Sequence, residues 1–219
     1  MTKKLSMKQT APGRSAGWLG WGMVAALAVL FSAVAFRLFS LDPEAVPEEL
    51  RPNLVHHPIL FYMHVLVAPF ALLAGVWQFL PVTRRGPYHR WAGRFYVACV
   101  VPAAVAGFVV ALTTESGSLA GAGFAVLAIL WLATTVKAYR SARDGDFVSH
   151  RAWMIRSYAL TCAAITLRLI LPSGIALGAG CASSYVAAAW GSWIANLLIA
   201  ECILRRIPFR QTEPRRPPP

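Results

Sequence analysis

The chain alternates between long apolar runs and short polar segments that are mostly basic. Each of six runs has about the 20 residues that a helix needs to cross the hydrocarbon core of a bilayer. In lipid, backbone amides must be satisfied within their own segment, so every run is predicted to be helical. The pattern therefore predicts an all-α integral membrane bundle of six transmembrane helices: Ala16–Phe36, Pro58–Leu80, Phe95–Thr114, Ser116–Val136, Ala152–Leu171 and Tyr185–Leu204.

The same pattern predicts one membrane domain with two polar tails. Residues 1–15 form a basic tail, residues 16–204 a single six-helix domain, and residues 205–219 a basic, proline-rich disordered tail. An alternative concerns the first run, because basic residues, an apolar stretch and Ala33-Val34-Ala35 together resemble a cleavable signal peptide. The run is long for such a peptide, so its length favours a retained span.

Composition favours a membrane protein over a soluble one. Of the 219 residues, 57% are hydrophobic and only 14% are charged, whereas a soluble domain carries roughly a quarter charged residues. The composition therefore disfavours an ordinary soluble enzyme and a disordered chain. The four cysteines form no C-x-x-C pair, so no metal site other than a haem iron is predicted.

The net charge is +12, and the distribution of the basic residues predicts how the bundle is oriented in the membrane. In a soluble protein it would suggest a nucleic-acid partner, but these basic residues lie in short segments between apolar runs, so none is predicted. All but three of the 21 basic residues fall on one side of the predicted bundle, the exceptions being Arg37, Arg51 and Arg168. The positive-inside rule then predicts that both termini lie in the cytoplasm.

Two short segments of the chain are alike. They read HRWAGRFY from His89 to Tyr96 and HRAWMIRSY from His150 to Tyr158, and they predict tandem helical hairpins over Pro58–Thr114 and Ser116–Pro172. Together with LWLATT and TLRLILP, these segments resemble an uncharacterised bacterial family of multi-pass membrane proteins, domain of unknown function 2306, from about residue 57 to 201. The resemblance implies a helical bundle in the plasma membrane. It brings no established activity and no functional residues.

Helical periodicity places histidines on faces that turn into the bundle. At about 100° per residue, each histidine shares a stripe with small or polar residues, whereas Leu, Val and Phe dominate elsewhere. The stripes are His57, His64, Ala68, Ala71, Gly75 and Gln78; His89, Tyr96, Val100, Ala103 and Gly107; and His150, Ser157, Thr161, Ala164 and Arg168. Close helix packing in lipid explains the small residues without any ligand, so both explanations remain open.

The polar residues form two predicted clusters. The inner cluster contains His89, His150, Arg90, Arg94, Arg151, Arg156, Gln78 and Glu201, and the outer cluster contains His64, His57 and Arg168. A charge in the hydrocarbon costs about 2.5–3.5 kcal/mol and is usually functional or paired. Simpler explanations stay open: an Arg156–Glu201 ion pair, outward snorkelling of Arg168, and cytoplasmic anchoring by the other arginines.

Three functions follow from these clusters. In a redox protein, His89 and His150 would ligate haem b with arginines near its propionates, or the same residue types would bind a quinone head group. A proton-coupled carrier would use a histidine as the titrating group and arginines to attract a small anion. A non-catalytic bundle would serve a membrane partner or a homo-oligomer. We expect the redox function, with the haem b or quinone site facing the cytoplasm.

Overall fold

A computed structural model describes residues 13–46, 51–80, 83 and 86–206. These residues form eight α-helices and two short 3-10 turns, Arg37–Ser40 and Pro43–Ala45. The helices are α1 Gly13–Phe36, α2 Arg51–His56, α3 Pro58–Phe79, α4 Pro87–Leu112, α5 Ser118–Arg143, α6 Phe147–Thr161, α7 Ala163–Ala176 and α8 Cys181–Arg206. Most of both predicted tails, residues 1–12 and 207–219, lies outside the described residues.

Six segments of the described chain are long and apolar enough to cross a membrane. They are Leu19–Ser40, Pro58–Phe79, Pro87–Leu112, Ser118–Arg143, Phe147–Ala176 and Cys181–Arg206. Each contains or overlaps one of the six predicted runs, so the prediction of a six-span helical bundle is confirmed. The cytoplasmic orientation, the plasma-membrane location and the division into one domain with two tails stay predictions.

The alternating direction of consecutive spans gives the bundle two ends. The connections α3–α4 and α5–α6 lie at one end, with the start of α1 and the end of α8. We call it the basic end because its exposed residues include Arg90, Arg94, Arg143 and Arg151. Helix α2 and the connections α4–α5 and α7–α8 lie at the other, which we call the cavity end.

Small residues let the helices approach closely, as is common in membrane bundles. Ala71, Ala103, Ala138 and Ala188 are completely buried. Helices α3, α4 and α5 each pack against the next helix in the chain, α7 packs against α8, and α1 packs against α3. The large buried side chains lie between these contacts and include Tyr96, Trp131 and Leu160.

The fifth span is not the single helix that the sequence predicts. It is interrupted at Cys162, whose carbonyl accepts hydrogen bonds from the N–H groups of both Ile165 and Thr166, at 2.9 and 3.2 Å. The Thr161 hydroxyl donates to the Ser157 carbonyl at 3.0 Å, a type of bond that often bends helices. Before the break α6 packs mainly against α5, and after it α7 packs mainly against α8.

Candidate functional site

The divergence of α7 from α5 leaves a cavity of about 500 Å³ between α1, α3, α4, α5 and α7 at the cavity end. Apolar side chains form most of its wall. Trp131, Leu160 and Thr161 line the wall on α5 and α6, and Arg37 and Asn53 line it near the connection between α1 and α3. The cavity is thus a mainly apolar chamber with a few polar groups, the usual character of a small-molecule site.

His64 projects from α3 into this cavity. Its Nδ1 lies 2.8 Å from the Ala103 carbonyl oxygen of α4, and because a carbonyl only accepts, Nδ1 is the atom that carries the proton. In the neutral ring Nε2 is then a hydrogen-bond acceptor. Gly107 provides the room for the ring, since a Cβ at that position would lie 2.7 Å from Nδ1. The orientation of His64 is therefore set by both α3 and α4.

Arg168 lines the same cavity from α7. Its Nη1 donates to the Ala164 carbonyl at 2.8 Å, and its guanidinium carbon lies 5.8 Å from the centroid of the Phe31 ring in α1. Within the described ranges, Arg168 forms no ion pair with a carboxylate. The structure thus brings together His64 and Arg168 of the predicted outer cluster. His57, at the start of α3, is not among the residues that line the cavity.

The cavity wall includes exposed residues on α1 and α7. Val34 and Ile175 both line it, and each keeps 47% of its surface exposed. Both belong to membrane-spanning segments, so their exposed surface faces lipid. The cavity wall therefore includes lipid-exposed surface on α1 and α7, the helices that meet at Phe31 and Arg168.

A second polar site lies at the basic end. The rings of His89 in α4 and His150 in α6 have centroids 6.5 Å apart and planes at 89°. His150 Nδ1 lies 2.9 Å from the Ala138 carbonyl, and Gln78 Nε2 donates to the His89 carbonyl at 2.9 Å. The two histidines are half-buried. The sequence predicts a ligand at this pair of histidines. The pair lies at the opposite end of the bundle from the cavity.

The family profile described as "Predicted membrane protein (DUF2306)" matches residues 61–204. The chain belongs to this DUF2306 family. The match begins within α3 and ends in α8, so it includes His64, Arg168 and both histidines of the pair. No curated protein and no solved structure matches the chain. The DUF2306 protein is therefore assigned as a multi-pass membrane protein, and its activity has to be argued from its own geometry.

The remaining members of the predicted inner cluster separate into individual contacts. Arg156 in α6 binds both carboxylate oxygens of Glu201 in α8, at 2.6 Å from Nε and 3.0 Å from Nη2. The ion pair anticipated from the sequence is thus present in the DUF2306 fold. The side chains of Arg90, Arg94 and Arg151 are exposed at the basic end. In the described ranges, no three His, Cys, Asp or Glu side chains are grouped to hold a metal ion.

Sequence reasoning missed a buried hydroxyl network that reaches the cavity wall. The Tyr96 hydroxyl lies 2.8 Å from Ser157 Oγ and 2.7 Å from Thr161 Oγ1. Trp131 Nε1 donates to Thr161 at 2.8 Å, and Thr135 Oγ1 lies 2.7 Å from Ser157 Oγ. The histidine stripes include three of these residues, but nothing in the stripes points to Trp131 or Thr135, because both belong to α5.

Proposed function

We propose that this protein is a quinone-binding membrane protein of redox type. The observation that carries the proposal is that His64 and Arg168 share one mainly apolar cavity of about 500 Å³. A quinone combines an apolar ring and tail with oxygen atoms at the ring edge. Such a molecule matches a chamber with apolar walls and a few convergent polar groups.

The two side chains offer complementary hydrogen bonds. Neutral His64 keeps Nε2 as an acceptor because Nδ1 donates to Ala103, so it suits the hydroxyl of a quinol and can receive its proton. Arg168 offers only donors, so it suits a carbonyl or a phenolate oxygen. The lipid-exposed part of the cavity wall on α1 and α7 supports entry of the ligand from the bilayer. An isoprenoid tail would leave the cavity on this side.

The carrier hypothesis fits the cavity less well. A small, strongly hydrated anion would contact Arg168 but leave most of the apolar wall unfilled. Burying such an ion costs several kcal/mol unless paired charges and hydrogen bonds replace its water. Arg168 is the charged group that α7 contributes, and no carboxylate of the described residues is paired with it. The apolar wall favours a ligand that is itself largely apolar.

Titration with a short-tailed ubiquinone analogue and its quinol tests the proposal. Trp131 lines the cavity, so quenching of tryptophan fluorescence in detergent reports binding, and Trp131→Phe shows whether the signal arises there. We expect His64→Ala and Arg168→Gln each to weaken binding at least tenfold, the loss of one or two hydrogen bonds to a buried group. Arg151→Gln is the matched control, because it removes an arginine at the basic end. Equal binding by all variants would contradict the proposal.

One observation favours haem b as a second candidate, at the other end of the bundle. The His89 and His150 ring centroids are 6.5 Å apart. Two imidazoles bound on opposite faces of one metal have centroids on the order of 6 Å apart, given metal–nitrogen bonds of about 2 Å. The Ala138 carbonyl at His150 Nδ1 leaves Nε2 as the ligand atom, and the nearby exposed arginines suit propionate groups.

Visible spectra of the purified protein test this second candidate. We expect the oxidised and dithionite-reduced forms to show haem b bands after haem supplementation, and His89→Ala or His150→Ala to abolish them while the fold is retained. His64→Ala is the matched control because it removes a histidine from the cavity instead. A colourless protein would eliminate the haem site and leave the quinone proposal standing.

A further inference from the structure

Trp153 in α6 is in contact with two cations. Lys137 Nζ lies 4.5 Å from its ring centroid, and the Arg156 guanidinium carbon lies 4.7 Å from it. Both distances are within the range of cation–π attraction. Arg156 is fixed further by two hydrogen bonds to Glu201 of α8, at 2.6 and 3.0 Å. Helices α5, α6 and α8 thus build one ordered group of charges around a single indole ring.

Positive charge exceeds negative charge in this group. Lys137 is exposed and forms no ion pair with a carboxylate among the described residues. Arg205 lies one helical turn beyond Glu201 on α8 and is also exposed. Glu201 is therefore a single acid beside three basic residues. An anion that entered the group would be attracted, and it would relieve the repulsion between Lys137 and Arg156.

The group lies about two helical turns inside the basic end of the bundle. Lys137 is six residues before the end of α5 and Arg156 nine residues after the start of α6, which is roughly 9 and 14 Å along the helices at 1.5 Å per residue. Exposed residues of α5 continue from Lys137 towards the bundle centre at Ala133 and Ile129. This spacing of four residues gives one apolar strip that leads away from the ammonium group.

We propose that the surface around Trp153 binds one anionic phospholipid. The Lys137 ammonium and the Arg156 nitrogen not used by Glu201 donate hydrogen bonds to the phosphate, while an acyl chain follows the strip formed by Ala133 and Ile129. The ion pair with Glu201 positions Arg156, and the indole attracts both cations to one place on the surface. A free phosphate ion has the same head-group chemistry but gains nothing from the apolar strip. The site is at the basic end and is independent of the proposed quinone cavity.

Native mass spectrometry of the detergent-purified protein tests this site. The probes are phosphatidylglycerol, phosphatidylcholine with the same acyl chains, and inorganic phosphate. We expect one phosphatidylglycerol to bind at least tenfold more tightly than phosphatidylcholine, because only the first carries a net negative charge. We expect Lys137→Gln to weaken that lipid about fivefold, the usual contribution of one lysine at an anionic membrane surface.

Arg143→Gln is the matched control. It removes one positive charge from the same helix, but Arg143 lies at the helix end and contacts Tyr139 rather than Trp153. Equal losses in Lys137→Gln and Arg143→Gln would show attraction by general surface charge and would overturn the site. If inorganic phosphate displaced phosphatidylglycerol and bound as tightly as the lipid does, the choice of a lipid as the ligand would be overturned. Neither result would affect the test of the quinone cavity.

Discussion

The buried hydroxyl network makes a sharp prediction for Tyr96→Phe. Tyr96 is completely buried, and its hydroxyl contacts Ser157 at 2.8 Å and Thr161 at 2.7 Å. The substitution removes one oxygen atom and leaves the ring in place. Both partners keep another contact, Ser157 with Thr135 and Thr161 with Trp131. The change therefore removes hydrogen bonds without creating a buried polar group that has no partner.

The expected loss follows from the number of bonds. Hydrogen bonds between membrane helices are worth about 0.6 kcal/mol on average, and typical protein hydrogen bonds about 1 kcal/mol. Two bonds thus give about 1–2 kcal/mol. Tyr96, Ser157, Thr161 and Thr135 have one hydroxyl proton each, and Thr161 and Thr135 donate theirs to the backbone carbonyls of Ser157 and Trp131. The remaining protons are too few for every contact between the hydroxyls. One of the short contacts therefore contributes little, which favours the lower value.

Unfolding in mixed detergent micelles with increasing SDS measures this loss. We expect Tyr96→Phe to lower the free energy of unfolding by about 1 kcal/mol, a factor of about five in the unfolding equilibrium. Tyr62→Phe is the matched control, because the Tyr62 hydroxyl is buried and has no hydrogen-bond partner among the described residues. Its removal should be neutral or stabilising. If the two variants had the same stability, the network would not hold α4, α5 and α6 together.

Three further predictions concern single contacts. Gly107→Ala would normally favour a helix by about 1 kcal/mol, but its Cβ would lie 2.7 Å from His64 Nδ1. We therefore expect a lower melting temperature and at least tenfold weaker quinone binding. Unchanged binding would contradict the role of Gly107. Glu201→Gln removes the partner of the half-buried Arg156 and should cost about 1 kcal/mol in SDS unfolding, with no added cost in the double variant with Arg156→Gln. Hydrogen bonds from the Ser149 hydroxyl and N–H hold the pKa of Asp146 below its usual value. This stabilisation is present above about pH 4 and is lost as pH falls through the lowered pKa, so melting curves from pH 7 to 3 should show a smaller acid loss in Asp146→Asn.

The spans were predictable because the bilayer imposes a length and an apolar composition on each of them. Ala16–Phe36 and the other five runs meet both conditions, and all six appear as helical spans, the fifth as the two helices α6 and α7. The break at Cys162 was not predictable in this way. No proline or glycine marks it, and the Thr161 and Thr166 hydroxyls donate to the Ser157 and Cys162 carbonyls beside it, a type of bond that often bends helices. Thr134 and Thr135 form the same type of bond inside the unbroken α5, so threonines in the sequence do not by themselves predict a break.

The candidate site was predictable only in part, for a related reason. Periodicity gives the angle of a residue around its own helix, so it placed His64 and Arg168 on candidate inward faces, while outward snorkelling of Arg168 stayed open. It does not state which helices meet, so the chamber between them could not be foreseen. Trp131 and Asn53 line that chamber from α5 and α2, and neither belongs to a histidine stripe. Both residues line a chamber that exists because α7 separates from α5.

The position of Arg168 is the main support for the proposed ligand in the cavity. A charged arginine in the hydrocarbon costs about 2.5–3.5 kcal/mol on insertion scales unless it is paired or reaches water. Arg168 lies eight residues before the end of α7, roughly 12 Å along the helix, and its only hydrogen bond to a described residue is to the Ala164 carbonyl. Packing alone would be served better by leucine, which carries no such cost. If the proposed quinone occupies the chamber, its electron-rich oxygen supplies the partner that the described residues do not provide for the exposed Arg168.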